Sequence, residues 1–256
     1  MSIDPAELAR IVDDAAASGT AIPQLSHTYG EVSVEAAYGI QALSIARRLA
    51  RGERMVGLKM GFTSRAKMIQ MGLSDQIWGR LTSGMQIADG GTLHFDRYVH
   101  PRFEPEVAFL LKKPLSGPTT PAQALTHVEA VAPAMEIIDS RYKDFKFSLS
   151  DVVADNSSSS SFVLGKWCSP DLDMSNLGMV CEVDGRPVQI GSTAAILGHP
   201  LRSLVAASRI AAEHGLELKA GWTVMAGAAT AATFIKPGQH LRVVAEKMGT
   251  VDLFVS

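Results

Sequence analysis

The chain has 256 residues, 46% of them hydrophobic and 20% charged, a globular balance that excludes a disordered or fibrous polypeptide. Its formal net charge is −2 and its lysines and arginines are scattered, which excludes a charge-driven nucleic-acid binder. No apolar stretch is long enough for a membrane-spanning helix, and Cys168 and Cys181 lack disulfide or metal-type spacing.

Met1 to Pro5 shows no basic segment ahead of an apolar one, so no secretion signal is expected and a reducing cytoplasm is the expected compartment. Asp4, Pro5 and Glu7 then read as N-cap, first-turn proline and capping-box acid. Leu8, Ile11, Val12, Ala15 and Ala16 repeat at helical spacing until Gly19. A second helix opens at Ser33 and runs through Ala42, Leu43, Ala46 and Leu49 to Gly52. Residues 1–55 are therefore expected to be a helical section ahead of a β-rich part at 56–256, the two forming one compact unit.

From Val56 the pattern changes to short apolar runs broken by glycine and proline. Strands are expected at Val56–Met60, Phe103–Leu111, Ala134–Ile138, Met179–Val183, Val188–Ile190, Thr223–Met225, Leu241–Ala245 and Val251–Val255. Asp184-Gly185 marks a hairpin turn. Helices are expected from Thr120-Pro121 and across about Pro200 to His214. Many short strands with few helices imply an α+β fold with a mixed, rolled or barrel-like sheet. The serine run Ser157 to Ser161, following Asp155-Asn156, reads as a loop that lines a polar pocket or satisfies its own backbone.

The chemistry concentrates in two strands. Alternation puts Glu104 and Glu106 on one face, followed by Ala108 and Leu110, so the pair is expected to turn inward. Pro105 lacks an N–H, which places this stretch at a sheet edge or bulge. Glu136 stands in the apolar run Ala134–Ile138. Neighbouring carboxylates near a core repel and lose hydration, so they need a cation or a proton. Three carboxylates suit a hard divalent ion such as Mg²⁺ or Mn²⁺. Solvated strand ends, with Glu136 paired to Arg141 or a lysine, remain the bland alternative. Lys59, between Gly57 and Gly61, either holds a carboxylate and assists proton transfer or snorkels from an edge strand. His100 and His199, each before a proline, read as turn or capping histidines.

Several stretches together resemble the hydratase/decarboxylase branch of the fumarylacetoacetate hydrolase superfamily, over nearly the whole chain. They are Gly57–Ser64, Ala66–Met68, Gln70–Gly72, His100-Pro101 with Glu104 and Glu106, Glu136–Tyr142, Phe145–Phe147, Val152–Asn156 with Ser158 and Ser159, and Ala195–Pro200. The resemblance implies the fold of that superfamily, Mg²⁺ or Mn²⁺ at Glu104, Glu106 and Glu136, catalysis by Lys59, and no organic cofactor. Ile77, Asp155, Ser160 and Thr230 are expected to contact substrate. Hydratases of the branch typically carry an aspartate where Ile77 precedes Trp78-Gly79, whereas decarboxylases do not. The resemblance thus implies metal-dependent decarboxylation of 2-oxo-3-hexenedioate to 2-hydroxypenta-2,4-dienoate and CO₂ in meta-cleavage degradation of aromatic compounds. A 2-oxopent-4-enoate hydratase, or a non-catalytic partner subunit, are the alternatives. Implied partners are a small dicarboxylic 2-oxo acid, further copies of the chain in a homo-oligomer, and a possible complex with a 2-oxopent-4-enoate hydratase. Gly227-Ala228 departs from the Gly-Gly pair that relatives often show before the threonine matching Thr230.

Overall fold

The computed structural model describes residues 4–64, 68 and 75–256, so the motif residues Ala66, Lys67 and Gln70–Gly72 lie outside the described residues. Helix α1 (Pro5–Ser18) is capped as its sequence dictates, with the Asp4 carboxylate accepting from Ala6 N–H at 2.9 Å. A short α2 (Leu25–Tyr29) leads to α3 (Val34–Ala50), whose N-cap Ser33 accepts from Ala36 N–H. Asp13 is buried and takes bonds from both Arg47 and Arg51, which ties α1 to α3. Leu8 and Val12 of α1 and Ile40 of α3 share one apolar core with Trp78, Val107 and Phe109 of the sheet.

The strands are β1 (Met55–Gly61), β2 (Ile77–Thr82), β3 (Gln86–Ile87), β4 (Gly91–Leu93), β5 (Arg102–Leu111), β6 (Val128–Ile138) and β7 (Ser159–Leu164). They continue as β8 (Gly178–Val183), β9 (Arg186–Ser192), β10 (Thr223–Met225), β11 (Thr233–Phe234), β12 (His240–Ala245) and β13 (Gly249–Val255). One mixed sheet runs β2-β1-β10-β5-β6-β7-β3, with β11 also on β5, and curls into a half-barrel. A second sheet runs β4-β13-β12-β8-β9. Helix α4 (Pro121–Leu125) has the expected capping box of Thr120 and Gln123. Helix α5 (Leu149–Ala154) and helix α6 (Pro200–Glu213) complete the chain. No helix among the described residues is long and apolar enough to cross a membrane.

Alternation gives the half-barrel two different faces. Val107, Phe109, Val131, Met135 and Ile137 point outward into the main core. Ala108, Ala134, Phe162 and Met225 join Leu81 and Met85 in a second apolar cluster. The register pairs Met225 with Ala108 and Lys59, Ala134 with Glu106, and Glu136 with Phe162. This second cluster is therefore the floor on which the polar groups stand.

Two expectations are corrected. Strand β5 is not at an edge: it has β6 on one side and β10 and β11 on the other. Pro105 is tolerated there because β10 ends at Met225 and β11 begins at Thr233. The chain between them is a loop, and it bonds to Pro105 only by donating Ala229 N–H to the proline carbonyl at 2.9 Å. The serine run is not wholly a loop, since Ser159 to Ser161 open strand β7. Serine's low strand preference hides this, and pairing of Ile137 with Ser161 overrides it.

Candidate active site

Glu104 and Glu136 face each other across β5 and β6, with Glu106 one step further into the half-barrel. One carboxylate oxygen from each lies within 4.8 Å of the other two. Glu106 is 0% exposed and Glu136 1%, so neither carboxylate can be dispersed into water. Burial, and then the charges of Glu136 and Glu104, push the Glu106 carboxyl well above the ordinary carboxylate range. Gly227 N–H donates to Glu106 Oε2 at 2.8 Å, from a backbone with φ 96° that glycine adopts freely. Glu106 Oε1 and Glu136 Oε1 have no hydrogen-bond partner among the described residues, although both are buried.

Lys59 on β1 reaches this set. It is 4% exposed, and its Nζ lies 3.3 Å from Glu136 Oε1 and 3.4 Å from Oε2. Only the second contact has hydrogen-bond geometry. The snorkelling alternative for Lys59 is thereby excluded. Lys59 meets Glu136 alone, and the orphaned buried oxygens of Glu106 and Glu136 are hard donors on one spot with a Glu104 oxygen. That donor set fits a divalent cation of the Mg²⁺ or Mn²⁺ kind.

Lys59 and Glu104 open into a cavity of about 480 Å³, with Glu106 and Glu136 buried behind them. Lys59, Glu104, Ile77 and Thr230 line it, together with Arg102 and Phe145. Ile77 and Ile138 make apolar wall, and Thr230 comes from the loop between β10 and β11. The wall also contains Ser157 and Ser158, set by an unusual backbone. Asn156, Ser157 and Ser158 have φ of 50°, 52° and 59°, three successive non-glycine residues in the left-handed region. The turn is held against β2: the Asn156 side chain accepts from Arg80 N–H at 2.7 Å and donates to Arg80 O at 2.9 Å. Ser157 Oγ donates to Trp78 O at 2.8 Å. A Cβ at Gly79 would lie 2.5 Å from Asn156 O, so only glycine admits the turn. Strain of this kind persists where surrounding contacts fix it, most often at functional sites.

Asp155 and Ser160 are placed otherwise than expected. Asp155 is fully buried and bound to Arg141, which donates its backbone N–H and Nε to the carboxylate and Nη2 to the carbonyl. Burial still raises the Asp155 carboxyl to about 6. Ser160 Oγ accepts from Arg141 Nη1, and neither residue is on the cavity wall. Both brace the left-handed turn from behind. His199 caps α6, its Nδ1 accepting from Leu201 N–H at 3.1 Å. His100 packs on Phe145, and Asp139 accepts its backbone N–H. Arg102 was not among the sequence candidates, although alternation along β5 places it on the face of Glu104.

Comparison with known proteins identifies the architecture. The fumarylacetoacetate (FAA) hydrolase C-terminal family pattern matches residues 78–255. The chain belongs to that family. It is 58% identical over 245 residues to a 4-oxalocrotonate decarboxylase of Pseudomonas sp, spanning 96% of this chain and 95% of that one. It is 35% identical over 248 residues to a 2-keto-4-pentenoate hydratase of Paraburkholderia xenovorans, spanning 96% and 92%. The solved 4-oxalocrotonate decarboxylase of Pseudomonas putida G7, complexed with magnesium and adipate, superposes with a TM-score of 0.95 at 36% identity, covering 98% of this chain and 97% of that one.

Proposed function

We propose that this chain is a divalent-metal-dependent carboxy-lyase that converts 2-oxo-3-hexenedioate into 2-hydroxypenta-2,4-dienoate and CO₂. The observation that carries the reading is the convergence of Glu104, Glu106 and Glu136 with Lys59 beside a cavity in which Ile77 stands at the position where hydratases typically carry an aspartate. The 58% identity to a 4-oxalocrotonate decarboxylase supports it, against 35% to the hydratase.

Glu104, Glu106 and Glu136 would hold the cation; their clustered, partly orphaned oxygens fit Mg²⁺, and the magnesium complex of the Pseudomonas putida G7 relative supports that choice. Such an ion supplies Lewis acidity toward a 2-oxo acid. Lys59 stands where its ammonium meets negative charge arising at the C2 oxygen, and it can deliver a proton there. The electrons of the C5–C6 bond pass through C3=C4 to that oxygen as the C6 carboxylate leaves as CO₂. This conjugation is why no organic cofactor is needed. Ile77 and Ile138 keep water from the diene, so no group on that wall directs hydration. Ser158 offers a hydroxyl with no partner among the described residues, while Thr230 and Ser157 line the wall with hydroxyls that donate to Ala231 O and Trp78 O. Asp155 and Ser160 act through Arg141 to hold the turn that carries the two serines.

The helical section 1–55 and the catalytic part 56–256 are taken as one unit, which their shared core supports. Association with further copies of the chain or with a 2-oxopent-4-enoate hydratase belongs to the same reading, supported by exposed Val188, Ile190 and Phe254. A reducing cytoplasm suits two free cysteines. The test is CO₂ release from 2-oxo-3-hexenedioate by the purified protein, which Mg²⁺ should support and a chelator should stop. Turnover equal with and without chelator would remove the acids from the reaction.

A further inference from the structure

Arg102 occupies the first position of β5, two residues before Glu104 and on the same concave face. Its guanidinium carbon lies 3.8 Å from the Phe145 ring centre and 4.1 Å from that of Phe234. The register fixes this clamp, because Phe234 of β11 is the cross-strand neighbour of Arg102 and Ile138 of β6 is its neighbour on the other side. Phe234 is 58% exposed, so the clamp stands at the cavity mouth, while Arg102, Phe145 and Ile138 line the cavity itself. Arg102 Nε is buried and has no hydrogen-bond partner among the described residues. Burial draws the guanidinium below its ordinary pKa, with the charge of Glu104 acting the other way.

A guanidinium covered by two rings has only its edge left, and that edge presents paired N–H donors matched to a carboxylate. Two residues along a strand advance about 7 Å, so the clamp stands one such step from the Glu104–Glu136 row. That separation suits an extended six-carbon chain with one carboxylate at the acid cluster and the other at the mouth.

We propose that Arg102 binds the far carboxylate of the substrate and selects dicarboxylic over monocarboxylic 2-oxo acids. The inference rests on the dicarboxylate reading above. The pair forms before the reaction and ends with it, because the carboxylate leaves as neutral CO₂. Arg102 therefore contributes to capture of the substrate, and the product, lacking that carboxylate, is no longer held at the mouth. Losing the contact raises KM much more than it lowers kcat.

The test is calorimetric titration of the Mg²⁺-loaded protein with 2-oxohexanedioate and with 2-oxohexanoate. The two differ only at C6, and neither has the C3=C4 bond that conjugates C5 with the 2-oxo group, so neither reacts. The wild type should bind the diacid tighter by roughly 10- to 100-fold, the range of a charge-assisted contact. R102Q should abolish that preference, R102K should keep part of it, and F234L should weaken it while leaving the charge. KM of R102Q for 2-oxo-3-hexenedioate should rise by a similar factor. A folded R102Q that still prefers the diacid overturns the assignment. If R102Q does not fold, full preference retained in both R102K and F234L overturns it. Absence of CO₂ release by the wild type counts against the decarboxylase reading alone, since the binding preference is scored without turnover.

Discussion

Replacing Glu106 by glutamine should stabilise the metal-free protein while abolishing its response to magnesium. Glu106 is fully buried beside two other acids, so the folded chain keeps its carboxyl protonated to a higher pH than the unfolded chain does. A raised folded value gives stability that is intact below the ordinary carboxylate range and falls as pH rises toward the folded value. Starting from the ordinary 4.5, the cost of retaining the proton at pH 7 has a ceiling of about 3 kcal/mol at 1.36 kcal/mol per unit. Coulomb's law agrees, since like charges within 4.8 Å of each other repel by roughly 3 kcal/mol or more at an effective dielectric near 20. Glutamine keeps an acceptor for Gly227 N–H and adds a donor toward Glu136. E106Q should thus raise the Tm of metal-free protein at pH 7 by several degrees, at roughly 2–4 °C per kcal/mol for a domain of this size. The difference should narrow toward pH 5. With Mg²⁺ near 1,000 times its Kd the order reverses, because the wild type gains about 4.1 kcal/mol and E106Q does not. Scanning calorimetry with chelator and with Mg²⁺ reads all of this. An E106Q protein that is no more stable at pH 7, or whose advantage grows toward pH 5, would refute the charge-crowding argument.

Three further outcomes follow from the same geometry. K59M should lower kcat by about 10² to 10⁴ while keeping the Mg²⁺-induced rise in Tm, since the three acids remain; near wild-type turnover would take Lys59 out of the chemistry. D155A should unfold more easily by about 3–5 kcal/mol, because it strands the buried Arg141, yet should bind Mg²⁺ as the wild type does. Denaturant titration and calorimetry separate those two effects, and lost Mg²⁺ affinity in folded D155A would return Asp155 to the site. I77D should acquire hydration of 2-hydroxypenta-2,4-dienoate at the expense of CO₂ release, and an unchanged product pattern would deny Ile77 its discriminating place.

The helices were legible because capping is local: Asp4, Ser33 and Thr120 each announce a start that α1, α3 and α4 obey. The acids were legible because a carboxylate in an apolar strand must be answered by something, and alternation put Glu104 and Glu106 on one side. Strand β7 was not, because its opening serines carry no strand signal and are drawn into the sheet by β6. The place of Pro105 was misread for a related reason. One sequence does not tell that β10 and β11 leave a gap opposite it. Asp155 and Ser160 illustrate the limit at the site itself, since a polar loop beside a pocket can face it or brace it. Arg141, 14 residues away from Asp155, decides between the two only in three dimensions. Arg102 was within reach of strand alternation, but its aromatic clamp joins residues 145 and 234 across the fold.

The decisive measurement sets two reactions side by side on the same Mg²⁺-loaded protein: CO₂ release from 2-oxo-3-hexenedioate and hydration of 2-hydroxypenta-2,4-dienoate. Both substrates present the same oxygen pair to the acid cluster and Lys59, so the rest of the cavity separates them, Arg102 in binding and the Ile77 wall in the chemical step. Ile77 there can neither orient water nor carry its proton, and such help is worth about 10² to 10⁴ in rate. The predicted result is kcat/KM for decarboxylation exceeding that for hydration by about that factor. Fast hydration with no CO₂ released would contradict it and make the chain a hydratase.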